Sequence, residues 1–334
     1  MYNKVYDKIK KYIKENLWFV ISLIAIILLF TIELPYQVET PGGFISLNDR
    51  IKVEGQETTS GEFGMAYVSM IKGNIPFILF SYINNDWDVI KKDKLTYDNE
   101  SLKEMTLRER LNLNEAISNA TISAYNLAGK DVKIKKQMIC VAYNDNENSD
   151  LKVGDIILKI NDVSINTLKD IQDYIQTLDI NDIVNVNVLR DNKEITVTST
   201  LKEYENSKKM GVSIIYNYEL ETNPNIEINS KSNESGPSGG LMMALGIYDK
   251  LTSSNLTKGD KIIGTGTIDN EGNVGEIGGV KYKLIGAVKS RAKIFLCPKE
   301  NYEEAITIAK ERNYDIIIKS VETLSDAINY LKGR

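Results

Sequence analysis

Histidine is absent from all 334 positions. Its absence excludes Ser-His-Asp triads, Cys-His pairs, His-Glu-x-x-His zinc sites and most other zinc centres. Cysteine is nearly absent too. Cys140 and Cys297 are the two present, far apart in the apolar runs "QMICVAY" and "IFLCP", and no Cys-x-x-Cys occurs. They read as buried free thiols rather than a disulfide framework. No Gly-x-x-x-x-Gly-Lys-Ser/Thr loop exists, which removes the usual ATPase module. Basic excess is also missing: 41 lysines and arginines face 46 acids, a net charge of −5. A nucleic-acid partner is therefore not expected, since phosphate binding needs a concentrated basic face. Neither internal repeats nor long low-complexity segments appear.

One long apolar run is present. Residues 16–32, "NLWFVISLIAIILLFTI", carry no charge and as a helix would span about 25 Å. That is just short of a hydrocarbon core of about 30 Å, and Leu34, Pro35 and Tyr36 can extend the contact. Lys4, Lys8, Lys10, Lys11 and Lys14 precede the run against Asp7 and Glu15, while Glu33 and Glu39 follow it. The positive-inside rule puts the N-terminus in the cytoplasm and some 300 residues outside. A cleaved signal peptide would end at a small-x-small site, which "ELPYQVETPGG" does not offer.

The outer part is long enough for two or three compact units. "ETPGG" is a turn-rich start, and "IKVEG" and "FGMAYVSMI" read as strands, the second bounded by "TTSGEFG". Residues 101–129 read as helix, with Leu113, Ala116, Ala120 and Ala124 among its apolar positions and Gly129 as a stop. After "QMICVAYN" come "LKVGDIILKINDVSI", a short amphipathic helix "TLKDIQDYIQTL", and alternating residues around Asp191-Asn192 that read as a hairpin. This order resembles a PDZ domain over about 70 residues. The resemblance implies a groove that adds a peptide strand to a sheet edge, although no glycine-rich loop precedes the expected first groove strand. A spacer that only orients the next domain is the alternative.

The last 130 residues alternate strands and helices, the helix "NYEEAITIAKER" opened by Asn301. Within them, "SNESGPSGGLMMALG" joins a small, polar run to an apolar helical pattern, with Ser238 on the junction. A serine here caps a helix, worth about 1 kcal/mol, or acts as a nucleophile beside the free amides of the helix start. A nucleophile needs a base, and without histidine that base is a lysine whose pKa falls by desolvation. "EIGGVKYKLIGA" offers Lys281 and Lys283, which point about 200° apart on a helix. A solvated surface lysine is the plainer reading of either.

Taken together these segments resemble the proteolytic domain of Lon-type proteases, the Ser–Lys dyad family. "GPSGG" stands for the family's Gly-Pro-Ser-Ala-Gly, and "GTGTIDNEGNVGEIGGVKYKLIGA" for its Thr-Gly-x-Ile…Ile-Gly-Gly-x-x-x-Lys run. The resemblance implies Ser238 as nucleophile within Gly236, Pro237 and Gly239, Lys283 as general base, and Thr265 as the residue whose hydroxyl helps hold that lysine. Two positions depart from the pattern: Ser235 stands where Lon itself usually has Asp, with Glu234 adjacent, and Gly239 replaces alanine.

The whole arrangement resembles the membrane-bound, extracytoplasmic PDZ–Lon proteases of Gram-positive bacteria, some of which process peptide pheromones. It implies an α+β chain with one N-terminal transmembrane helix. Its parts are a basic tail (1–15), an anchor (16–36), an α+β segment (37–130), a PDZ-like unit (131–203) and a Lon-type proteolytic domain (204–334). Residues 38–55 and the helix at 111–129 also resemble the opening of the Lon proteolytic fold, which would make the PDZ unit an insertion. The implied activity is ATP-independent endopeptidase action on short or unstructured peptides or unfolded proteins, with no cofactor or metal. Homo-oligomeric rings are a family expectation. A tethered peptide-binding scaffold with an inactive protease fold, or a non-proteolytic Ser–Lys acyl hydrolase, are the other readings.

Overall fold

Pro35 sets the first boundary, because proline lacks an N–H and disfavours helix in the residue before it. In the computed structural model, which describes residues 2–56 and 60–334, helix α1 (Tyr2–Glu15) breaks at Asn16 into α2 (Leu17–Thr31). Ile32 is already extended, and Leu34 donates its amide to the carbonyl of Gly73 at 2.8 Å. The expected span over 16–36 is thus a shorter helix, and Tyr36 opens a strand. No single helix among the described residues is long and apolar enough to cross a membrane. Residues Val5–Glu15 and Leu17–Thr31 meet the length and composition test only as a pair, bent by 83°. Of the lysines ahead of α2, the side chains of Lys4 and Lys8 lie outside the described residues, as do Thr58 and Thr59 of the expected turn.

The elements continue as β1 (Tyr36–Ser46), β2 (Ile51–Val53), β3 (Glu62–Lys72), α3 (Ile75–Ser81), β4 (Asp88–Lys91) and α4 (Leu102–Ala128). Next come β5 (Asp131–Asn144), β6 (Ile156–Ile160), β7 (Val163–Ser164), α5 (Leu168–Gln176), β8 (Ile183–Arg190) and β9 (Lys193–Thr200). The short hairpin β10 (Lys202–Tyr204) and β11 (Ser207–Lys209) leads into β12 (Val212–Asn223) and β13 (Ile226–Ile228). The chain ends with α6 (Gly240–Thr252), β14 (Lys261–Gly264), β15 (Thr267–Ile268), β16 (Val274–Gly275), α7 (Val280–Lys289), β17 (Ile294–Pro298), α8 (Lys299–Glu311), β18 (Ile317–Val321) and α9 (Leu324–Gly333).

Two compact units result, Met1–Pro41 with Val68–Leu95, and Gly42–Tyr67 with Thr96–Arg334. In the smaller one the opening residues of β1 pair antiparallel with β4, Tyr36 opposite Lys91. In the larger one, β18, β17, β14 and β3 lie side by side and parallel. Alternation along β14 sends Ile262 into a core with α4, α6 and α9, and Ile263 into a second core with α7 and α8. Ser101 begins α4 with a capping box to Glu104, and Gly129 ends it at φ 63°. Leu113, Ala116, Ala120 and Ala124 of α4 pack on Leu241, Leu245 and neighbouring residues of α6. Residues before and after the PDZ-like stretch therefore share one α/β layer.

The remaining sheet runs β12-β5-β6-β8-β9 around its own core of Ile139, Ile157, Ile160, Ile171, Val186 and Val188. Asp191 and Asn192 both adopt positive φ, 50° and 60°, at the β8–β9 turn, as a tight two-residue hairpin requires. β12 extends this sheet past residue 203, pairing with β5 from Val212 opposite Asn144 to Asn223 opposite Asp131. Cys140 and Cys297 are buried and unpaired, and desolvation pushes their thiols up to about 11 and about 12.

Candidate active site

Ser238 lies one residue before the cap of α6 rather than on it. The N-cap is Gly239, and no side chain caps the helix. The hydroxyl of half-buried Ser238 makes no hydrogen bond among the described residues, so the capping role is not filled. Its backbone is held instead. The Ser238 carbonyl accepts from Gly266 N at 2.8 Å and from Thr265 Oγ1 at 3.0 Å. Leu241 N donates to Gly266 O at 3.1 Å, so the start of α6 is zipped to the segment following β14.

The loop ahead of Ser238 is stapled from α4 and from the segment before β2. Arg110 Nη1 donates to the carbonyls of Lys231 at 2.8 Å and Glu234 at 3.1 Å, and Nη2 donates to Ser230 Oγ at 3.0 Å. Arg50 pairs with Glu234 at 2.7 Å. Glu234 is thereby committed to the loop's own geometry. Gly236 N donates to Glu109 O at 2.9 Å, and its φ of +86° is a conformation that glycine adopts without strain. Gly239 meets a different demand: a Cβ there would lie 2.5 Å from Met65 Sδ. The glycine in place of the family's alanine is matched by this methionine.

Lys283 sits in the middle of α7, whose Val280, Leu284 and Ala287 join the core with Ile263 and Phe295. Only 4% of it is exposed, and among the described residues its amine has neither hydrogen bond nor counter-ion. Burial alone pushes its pKa down to about 8. Lys281, two residues earlier, is half-buried and lies over the Tyr282 ring at 5.3 Å. The two lysines thus differ as their angular separation requires.

Of the expected residues, Ser238 and Thr265 are in direct contact, and Gly236, Pro237 and Gly239 form the loop around them. Thr265 does not bond Lys283; its buried hydroxyl donates to the carbonyl of Ser238. No hydrogen bond joins Ser238 to Lys283 in this structure. Asn301 is not the cap of its helix, because Pro298 is. Buried Asn301 donates to Ile277 O at 2.9 Å and accepts from Ile277 N at 3.0 Å, which fixes the approach to α7. Its role, like those of Arg50 and Arg110, carries no local sequence signal. No group of three or more His, Cys, Asp or Glu side chains able to hold a metal occurs among the described residues.

A groove of about 390 Å³ runs between α5 and β12, lined by Leu168, Ile171, Ile175, Met210, Val212 and Ile214 among others. Its strand comes after the sheet's other members in sequence. The segment before it contains Gly211 at φ 71°. Tyr216 Oη accepts from Leu168 N at 2.9 Å at one end of the groove.

The PDZ domain family matches residues 128–201, and the Lon protease (S16) C-terminal proteolytic domain matches residues 183–332. The chain carries a PDZ domain and a Lon-type proteolytic domain. The two matches overlap on β8 and β9, which lie in the PDZ sheet. Lon protease of Campylobacter concisus is 35% identical over 147 residues, 43% of this chain and 18% of that protein. Lon protease of Campylobacter jejuni is 38% identical over 96 residues, 28% of this chain and 12% of that protein. This chain thus spans less than a fifth of either relative. The PDZ domain of an SdrC-like protein from Listeria monocytogenes is 18% identical, covering 25% of this chain and 93% of that one, with a TM-score of 0.23.

Proposed function

We propose that the chain is an ATP-independent serine endopeptidase, tethered by α2 to the cell membrane with its N-terminus in the cytoplasm, that cleaves short or unstructured peptides outside. The observation that carries this reading is Lys283, a buried lysine without a partner among the described residues, depressed to about 8, in the same Lon-type domain as Ser238, whose hydroxyl caps no helix. The neutral Lys283 amine takes the Ser238 proton as Oγ attacks the scissile carbonyl. Amides at the start of α6 hold the oxyanion. The lysine then protonates the leaving amine, and water, activated by the same amine, releases the acyl group. A rearrangement that closes the gap between the two side chains accompanies substrate binding, as catalytic hydrogen bonds tighten on forming the Michaelis complex.

The groove on β12 supplies a place for an extended segment of substrate to add as a strand. Secreted signalling peptides, which some of the resembling Gram-positive proteases process, fall within this substrate class. We further read the PDZ domain as inserted within the proteolytic fold, because β3 pairs with β14 and α4 packs on α6 across it. Comparison of extracellular peptides from cells with the native chain and with Ser238→Ala tests the activity. The expected result is peptides lost in the variant. Lys283→Arg keeps the charge but cannot shed its proton near neutral pH. Activity retained in that variant removes Lys283 as base.

A further inference from the structure

The smaller unit presents an apolar surface that neither its strand pairing nor the proposed chemistry uses. It lies in "NIPFILFSYINNDW", residues 74–87. Asn74 begins α3, its Oδ1 accepting from Phe77 N at 3.1 Å while its Nδ2 donates to Phe30 O at 3.1 Å. The second bond ties α3 to the last turn of α2. Phe77 meets Phe30 and Trp87 edge-on, each at 6.2 Å, and Phe80 meets Trp87 at 4.8 Å. Beyond this stack, Leu79, Phe80, Tyr82 and Ile83 are 60%, 46%, 81% and 81% exposed. Four large apolar side chains this open within five residues form a patch rather than scattered surface.

Where α2 is a membrane anchor, as read above, its length gives the patch an occupant. Fifteen residues rise about 22 Å, against a hydrocarbon core of about 30 Å. Flanking residues at an end of the helix can meet the shortfall of about 8 Å. The patch lies at the C-terminal end, fastened there through Phe30. Glu33, the first acid beyond α2, is paired with Lys72 and with Lys92, so no unpaired carboxylate at that position opposes a lipid surface. We propose that Leu79, Phe80, Tyr82 and Ile83 dip into the outer leaflet, making residues 74–87 a second, in-plane membrane contact beside α2. Aromatic and aliphatic side chains at the headgroup level are what that depth favours.

Two single-tryptophan forms of the full chain test this, reconstituted in phosphatidylcholine–phosphatidylglycerol vesicles at three to one, brominated either high or low on the acyl chains. One form keeps Trp18 and carries Trp87→Phe. The other carries Tyr82→Trp, Trp18→Phe and Trp87→Phe. The expected result is blue-shifted emission at position 82, quenched more by the shallow bromines than by the deep ones, and loss of both effects when Leu79→Asp and Ile83→Asp are added. Trp18 quenched with position 82 unquenched overturns the inference and leaves the anchor standing. Position 82 quenched with Trp18 unquenched removes the anchor and, with it, overturns the inference, because the patch then has no spanning α2 to sit beside. Neither quenched overturns both. A blue shift at 82 without lipid quenching assigns the patch to a protein contact and overturns the membrane reading.

Discussion

Lys283 carries an energetic burden that its proposed task explains. A free lysine titrates near 10.5, and burial brings this one down to about 8. At about 1.4 kcal/mol per pH unit, the difference amounts to about 3 kcal/mol. Between about 8 and 10.5 the unfolded chain binds the proton and the folded chain does not, so stability rises with pH through that window. Below about 8 both states are charged and the full penalty is present. Lys283→Met is therefore expected to raise stability by up to about 3 kcal/mol at pH 7, with the gain gone above pH 10.5, while abolishing activity. Thermal unfolding at several pH values checks it; a variant less stable than the native chain at pH 7 sinks the argument. In the native chain kcat/KM should climb about tenfold per pH unit below 8 and level off above it. Gly239 gives a second residue-scale test. Gly239→Ala should cost about 1–3 kcal/mol by pressing on Met65 Sδ. Combined with Met65→Ala it should cost less than the sum of the two singles, a coupling that a double-mutant cycle measures. At this scale it was the resemblance to Lon-type domains that pointed to Ser238, Lys283 and Thr265, where the residues alone left a helix cap and a solvated lysine open. It could not show that Thr265 bonds the Ser238 carbonyl, because side-chain direction at a strand end depends on partners 27 residues away.

Local chemistry made several elements legible. Gly129 stops α4, the Asp191-Asn192 pair marks the β8–β9 hairpin, and apolar runs mark β14 and β17. What stayed hidden is non-local. β12 reads as an alternating strand, yet nothing in its own residues says that it borders the PDZ groove by pairing with β5. Asn301 resembles a cap by composition, but its amide is used by Ile277. The same holds for α4, whose Arg110 fixes the loop before Ser238. Arg110 places three donor contacts across residues 230–234. Arg110→Ala should lower kcat by about tenfold or more, the cost of at least one charged hydrogen bond, with little change in KM. Arg110→Lys should recover little of it, because a point ammonium cannot span acceptors that the planar guanidinium reaches together. Unchanged far-UV circular dichroism with a native kcat would remove Arg110 as a positioning residue.

Short connections join the PDZ and proteolytic domains. β5 leaves α4 after two residues, and β12 returns from the PDZ sheet to β13, which pairs with β2 beneath α6. Between them Glu115 of α4 accepts the Tyr216 amide of β12 at 3.0 Å, and burial pushes that carboxyl up. A spacer domain on a flexible tether would unfold independently of the protease. Short connections with a part-buried polar contact at the junction predict cooperative loss instead. Ile160 is fully buried in the PDZ core, remote in sequence from α6 and β14. Ile160→Ala should cost about 2–5 kcal/mol through the cavity it leaves. If the domains unfold together, hydrogen exchange at the α6 amides accelerates by the same free energy as exchange at β8. Acceleration confined to β5–β9, with α6 protected as in the native chain, would mean that the PDZ domain opens alone and transmits nothing to the Ser238 loop.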